Sequence, residues 1–136
     1  MPTTTQLVIS GKSKPGALAQ VAQVLGEAEV NIKAFSAPEV AGTGKLRLLV
    51  GDLEGARVAL KGAKIKFVEE TALLLSLENK PGALKEVADL LTKARINITC
   101  GYCTPSREGK RAIVVLTVSN TARALTILRD QSLDEF

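Results

Sequence analysis

Cys100-Gly101-Tyr102-Cys103 offers the first candidate chemistry in this sequence, because thiols at that spacing serve both disulfide exchange and metal binding. The context opposes both uses. The surrounding residues read as a strand, on which positions three apart face opposite sides of a sheet. Two small, half-buried residues is the plainer reading. Histidine is absent, which removes the imidazole base and the commonest metal ligand together. No nucleophile stands beside a base, no phosphate-binding loop occurs, and no acidic cluster gathers for a metal; Asp134-Glu135 is a terminal charge pair. The sequence therefore points away from an enzyme, and it implies no cofactor and no metal site.

What remains suits the binding of a small charged molecule. Lys14-Pro15-Gly16-Ala17-Leu18 and Lys80-Pro81-Gly82-Ala83-Leu84 each open a run with helical spacing. The first amides of a helix lack intrahelical partners and lie at its positive end, a natural place for a carboxylate. Gly16 and Gly82 let a ligand or neighbouring chain approach the backbone, or simply allow a tight strand-to-helix connection. Lys14 or Lys80 can meet a carboxylate and Glu78 an ammonium, although solvated charge is the bland alternative for the lysines. Asn31 and Asn97 each carry a donor and an acceptor; they can equally end a helix in the left-handed conformation that Asn tolerates.

These residues recur because the chain repeats. An offset of 66 carries Lys14–Leu18 onto Lys80–Leu84, Val21-Ala22 onto Val87-Ala88, Leu25 onto Leu91, Ala28 onto Ala94 and Asn31-Ile32 onto Asn97-Ile98. It also pairs Ala56-Arg57 with Ala122-Arg123, and no gap is expected anywhere. Two modules, 1–69 and 70–136, follow. In each, a short apolar strand (Leu7–Ile9, Leu73–Leu75) leads to a helix with one apolar face: Leu18, Val21, Ala22, Leu25 and Ala28, then Leu84, Val87, Ala88, Leu91 and Ala94. Pro15 and Pro81 fit a first helical turn, with Ser13 and Asn79 as capping residues. Second strands are expected at Val30–Ala37 and Ile96–Thr104. Turns at Gly42-Thr43-Gly44 and Glu108-Gly109 lead to third strands at Leu46–Val50 and Ala112–Val118, buried on much of both faces. Second helices follow at Leu53–Lys61 and Thr121–Arg129. Ile65–Val68 is expected as a closing strand, and Asp130–Glu135 as its weak counterpart. The order is β-α-β-β-α-β, a split or ferredoxin-like α+β arrangement.

With the Lys-Pro-Gly-Ala-Leu turn, the helix and the Asn-Ile pair present twice at one offset, the chain resembles the ACT domain family over roughly Thr5 to Leu128. The resemblance implies a stand-alone tandem of ferredoxin-like modules. It implies regulatory binding of small molecules, most often amino acids, at sites between paired modules. It places Asn31 and Asn97 at the ligand, beside Ser13, Lys14, Gly16, Ala17 and Ile32 in one copy and Asn79, Lys80, Gly82, Ala83 and Ile98 in the other. A homodimer and a regulated enzyme or transcription factor are the partners it implies. The alternative is a constitutive protein–protein interaction module with a vestigial pocket.

Composition agrees with a globular chain: 46% apolar and 24% charged residues across 136, with a net charge of +4. Three Phe, one Tyr and no Trp make the core aliphatic. The third strands carry no aromatic on which a base could stack, and no basic arm occurs, so nucleic acid is not an expected partner. No apolar run reaches the roughly 18 residues of a membrane span. The N-terminus lacks the features of a secretory signal, and with two cysteines a reducing, cytoplasmic setting is expected.

Overall fold

A computed structural model describes residues 3–106 and 108–129. The chain divides into an N-terminal unit, Thr5–Glu70, and a C-terminal unit that starts at Thr71 and takes in Thr3 and Thr4. The elements run β1 (Thr3–Lys12), α1 (Ala17–Glu27), β2 (Ile32–Ser36), β3 (Glu39–Val40), β4 (Thr43–Val50) and α2 (Leu53–Gly62). Then come β5 (Val68–Glu78), α3 (Ala83–Lys93), β6 (Ile98–Pro105), β7 (Arg111–Val118) and α4 (Thr121–Arg129). In the N-terminal unit β4 pairs antiparallel with both β1 and β2. In the C-terminal unit β7 does the same with β5 and β6. This is the expected α+β, ferredoxin-like arrangement, with a separate aliphatic core in each unit.

Those cores are built from equivalent residues. Leu7, Val21, Leu25, Leu48, Ala56 and Leu60 fill one, and Leu73, Val87, Leu91, Leu116, Ala124 and Leu128 the other. Their register corrects the single offset. Leu7 faces Leu48, whereas Leu73 faces Leu116, so the first half of each unit is related by 66 residues and the second half by 68. Ala56 and Ala124, both fully buried, follow the longer offset. So do the residues that cap α2 and α4: Asp52 accepts the amide of Gly55 at 2.9 Å and Asn120 that of Arg123 at 3.0 Å. Two extra residues in the β6–β7 connection account for the change. The match of Ala56-Arg57 to Ala122-Arg123 is therefore fortuitous; Ala122 is exposed, and the counterpart of Arg123 is Gly55.

Other expectations need local correction. The first helices begin at Ala17 and Ala83, with Gly16 and Gly82 at the cap, so Pro15 and Pro81 precede the helix instead of sitting in its first turn. Ser13 and Asn79 do not cap. The amide of Asn79 and its side-chain amide donate to Lys110 O and Gly109 O, both at 2.9 Å, and Ser13 N donates to Gly42 O. The buried stripe of α1 centres on Val21 and Leu25, with Val24 beside them. Leu18, Ala22 and Ala28 are exposed, as is Leu84 on α3. Helical rotation of 100° per residue puts 22 at the edge of a face centred on 21 and 25, while Leu18, in the first turn, borders the open groove. Ile65 and Phe67 lie outside any strand and pack on the N-terminal core. The next strand, β5, starts at Val68 and continues unbroken to Glu78, because nothing between them breaks an extended chain. Asp130–Glu135 falls outside the described residues.

Helix ends are set by three matching motifs. Glu29, Lys64 and Arg95 each take φ 59°. Behind them, Val30, Ile65 and Ile96 donate their amides to Leu25, Leu60 and Leu91 O, all at 2.9 Å. These are Schellman closures, with an apolar residue tucked over the last turn. The left-handed position is thus Glu29 and Arg95, not Asn31 and Asn97. One feature without a sequence expectation is β3, which forms a two-residue hairpin onto β4 through Ala41 (φ 53°) and Gly42 (φ 81°), the positive-φ pair of a type I′ turn.

Candidate functional site

The Lys-Pro-Gly-Ala segment is a β-turn in both units. Ala17 N donates to Lys14 O at 3.3 Å and Ala83 N to Lys80 O at 3.4 Å. Gly16 has φ 89°, ψ −6° and Gly82 φ 89°, ψ −13°. Proline at the second position and positive φ at the third define a type II turn. Glycine is required here for its backbone angle; a Cβ would meet nothing within 4 Å at either position. Because the cap is glycine, no side-chain oxygen reaches the first-turn amides of α1 or α3. The first of those amides, Ala17 N and Ala83 N, closes the turn, which leaves the others of the first turn without a side-chain cap.

A groove lies against that turn in each unit. The N-terminal groove, about 340 Å³, is bounded by Lys12, Ser13, Lys14, Ala17 and Leu18, with Glu39 and Lys45 opposite and Ile9 and Leu46 beneath. The C-terminal groove, about 450 Å³, is bounded by the equivalents Glu78, Asn79, Lys80, Ala83 and Leu84. It runs deeper, over Ile98, Gly101, Cys103, Val114 and Leu116. Both volumes fall in the range of small-molecule sites, about 300–1,000 Å³.

Their electrostatics differ. Lys80 Nζ lies 2.9 Å from Glu78 Oε2 at the mouth of the C-terminal groove. That contact lowers the Glu78 carboxyl from its ordinary value and raises the Lys80 ammonium. The sequence offered these two charges to a ligand; in the structure they pair with each other. In the N-terminal groove Glu78 is replaced by Lys12, and the lining carries Lys12, Lys14 and Lys45 with one carboxylate, Glu39.

Of the sequence-derived candidates, Ser13, Lys14, Ala17, Asn79, Lys80, Ala83 and Ile98 line the grooves. Gly16 and Gly82 shape the turn without lining them. Asn31, Asn97 and Ile32 lie away from the grooves. Asn31 O accepts from Gly51 N and Asn97 O from Ser119 N, both at 2.9 Å, while Asn97 N donates to Ser119 Oγ at 2.9 Å. These bonds tie the start of β2 and β6 to the end of β4 and β7. That is the far end of α1 and α3, each 11 residues or about 16 Å long. Sequence reasoning missed Glu39, Lys45 and Gly101, and read Cys103 only as a thiol. Only Gly101 carried a signal, as a lone glycine inside a strand. Cys100 and Cys103 are free thiols on opposite sides of β6, the first half-buried and the second exposed. Among the described residues no group of three or more His, Cys, Asp or Glu could hold a metal. No described helix is long and apolar enough to cross a membrane.

Comparison with known proteins bears directly on this repeated turn-and-groove unit. The model of the ACT domain pair matches residues 2–135. The chain belongs to the ACT domain pair family. As an ACT domain pair it is a regulatory module by kind. A crystal structure of a protein from Bacteroides thetaiotaomicron is similar at 29% identity and a TM-score of 0.90, covering 99% of this chain and 92% of that one. The ligand-free regulatory subunit of aspartate kinase from Thermus thermophilus shares the fold at 16% identity and a TM-score of 0.63, with 94% and 91% covered. Aspartokinase alpha and beta subunits match at 15% and 0.61, with 94% and 90% covered. No curated protein matches the sequence.

Proposed function

We propose that this ACT domain pair is a non-catalytic sensor that binds free amino acids in the grooves beside its two Lys-Pro-Gly-Ala turns. The observation that carries this reading is the coincidence, in both units, of a ligand-sized groove with helix-opening amides that no side chain caps. An α-carboxylate suits those amides and the adjacent Lys14 or Lys80, because the helix end offers donors and positive potential together. In the C-terminal unit Glu78 stands where it can exchange Lys80 for the ligand's ammonium. The neighbouring apolar floor takes the side chain. Binding stabilises one arrangement of the turn and strand ends, and through it the surface a partner meets.

In this reading the protein acts in a reducing, cytoplasmic setting as a homodimer, and passes ligand occupancy to an enzyme or transcription factor. Half-exposed Phe35 on β2 supports an apolar contact with a partner. That same exposed residue favours the second reading, a constitutive interaction module with a vestigial groove.

A thermal-shift screen of the full chain against the twenty amino acids tests the proposal. A ligand at 100 times its Kd stabilises the folded state by about 2.7 kcal/mol, a visible shift for a chain of this size. A response confined to a few amino acids is the expected result. A flat screen across all twenty sinks the sensor reading in favour of the interaction module.

A further inference from the structure

We propose that the two grooves recognise different ligand classes: the C-terminal groove takes an amino acid with an apolar side chain, the N-terminal groove one with a second carboxylate. This rests on the amino-acid-binding reading and adds to it a division of labour that repetition of the fold alone does not imply.

The first observation concerns depth. Phe35 on β2 stands opposite Leu48, and its counterpart Gly101 on β6 stands opposite Leu116. Leu48 and Leu116 are core residues, so residues 35 and 101 look to the helix side of their strands. A Cβ at Gly101 would come within 3.0 Å of Leu116 Cδ2. Where the N-terminal unit carries a phenyl ring, the C-terminal unit carries no side chain. The groove there extends over Ile98, Gly101 and Leu116, and its volume is about 450 Å³ against about 340 Å³. That added floor is apolar, and burying an apolar side chain on it is favourable at about 25 cal/mol per Å².

The second observation concerns charge and is independent of the first. The C-terminal mouth is lined by one carboxylate and one ammonium, Glu78 and Lys80, already paired with each other, and the charges acting on them from outside the lining, Arg111 on Glu78 and Glu86 on Lys80, offset each other. That set complements a zwitterion with no further charge. The N-terminal groove is lined by Lys12 and Lys14 with a single carboxylate, Glu39, and Lys45 borders it from the opposite face of β4, where it pairs with Ser10. Among the described residues none of the three lysines has an ion-pair partner within 4 Å. A zwitterion leaves that excess positive charge in place, whereas a ligand with two carboxylates and one ammonium offsets part of it. With a Debye length of about 8 Å at physiological salt, charges clustered around one groove still act on its contents.

Isothermal titration of the full chain with L-leucine and L-glutamate decides the matter. Each ligand is expected to bind in the presence of saturating amounts of the other. Glu78→Lys should weaken leucine at least about tenfold, or about 1.4 kcal/mol, and leave glutamate unchanged. Lys12→Glu should do the reverse. Gly101→Phe should abolish leucine binding alone; should that variant fail to fold, the two charge reversals at exposed positions carry the test. Competition of leucine and glutamate for one site, or a reversal that weakens both ligands equally, overturns the division of labour while leaving amino-acid sensing intact. If no amino acid of any class binds, this inference and the sensor reading fall together.

Discussion

Arg57 and Lys80 each hold a carboxylate whose protonation reports on folding. Arg57 donates to both oxygens of Glu69, at 2.9 and 2.6 Å, and to Glu54 at 3.0 Å. Those hydrogen bonds lower the Glu69 carboxyl below its ordinary value of 4.5, as Lys80 lowers that of Glu78. A carboxyl with a depressed folded-state pKa contributes stability above its unfolded value and loses it as pH falls through the folded value. Both pairs are solvent-accessible and therefore screened by salt. In low salt the urea midpoint should begin to fall as pH drops below about 4.5. Glu69→Gln and Glu78→Gln together should flatten that acid limb, and 1 M salt should shrink the difference between the proteins. Identical acid limbs for the double variant and the parent would remove these pairs from the account. The same exposure bears on function, because a weak surface pair between Glu78 and Lys80 is one that a zwitterion can replace.

Helix ends show what the sequence could and could not tell. The helices, the Pro-Gly turn and three strands of each unit were legible, since apolar periodicity and the repeated Pro-Gly pair fix where chain direction changes; the closing strand at Ile65–Val68 and the short β3 were not. Local chirality was less so. Asn31 and Asn97 are the residue type that tolerates positive φ, yet Glu29, Lys64 and Arg95 take it. Burial of Val30, Ile65 and Ile96 over the preceding turn decides the position, and apolar packing overrides residue preference there. The two-residue shift of β7 and α4 was equally hidden. A repeated Ala-Arg pair imitates continuity at 66, while only the buried pairs Leu48/Leu116 and Ala56/Ala124 disclose 68. As for the site, the turn residues were found but the opposite walls were not, because Lys45 and Gly101 are brought to the grooves by strand pairing. The cost of the left-handed residues is measurable. A non-glycine residue there is strained by roughly 1–2 kcal/mol, offset partly by the entropy glycine adds to the unfolded chain. Replacing exposed Lys64 with Gly should therefore raise unfolding free energy in urea by about 0.5–1 kcal/mol. A loss of stability would mean that the Lys64 side chain contributes more than its backbone costs.

Across the whole molecule, the two copies have kept what folds them and changed what surrounds their grooves. Leu7/Leu73, Val21/Val87, Leu25/Leu91 and Leu60/Leu128 are the same residue type in each core and nearly or wholly buried in both. Around the grooves Lys12 stands in one copy where the other has Glu78, and Phe35 where the other has Gly101. Core positions are constrained because close packing leaves no room for a change of volume without a cavity or strain. Positions at the groove mouths, such as Lys12 and Glu78, border solvent and carry no such penalty, so they are free to diverge toward different ligands, whereas Gly101 is held small by Leu116. Leu25→Ala and Leu91→Ala test the premise of equivalent cores. Each removes a fully buried side chain from the last turn of its first helix. Each should destabilise by about 3 kcal/mol, within the 2.7–5.0 range for such truncations, and the two should agree to about 1 kcal/mol. Hydrogen exchange should place the loosening in α1 for the first variant and in α3 for the second. A loss below about 1 kcal/mol at either site would mean that copy is loosely packed, and its groove would then lack the rigid floor that selective binding needs.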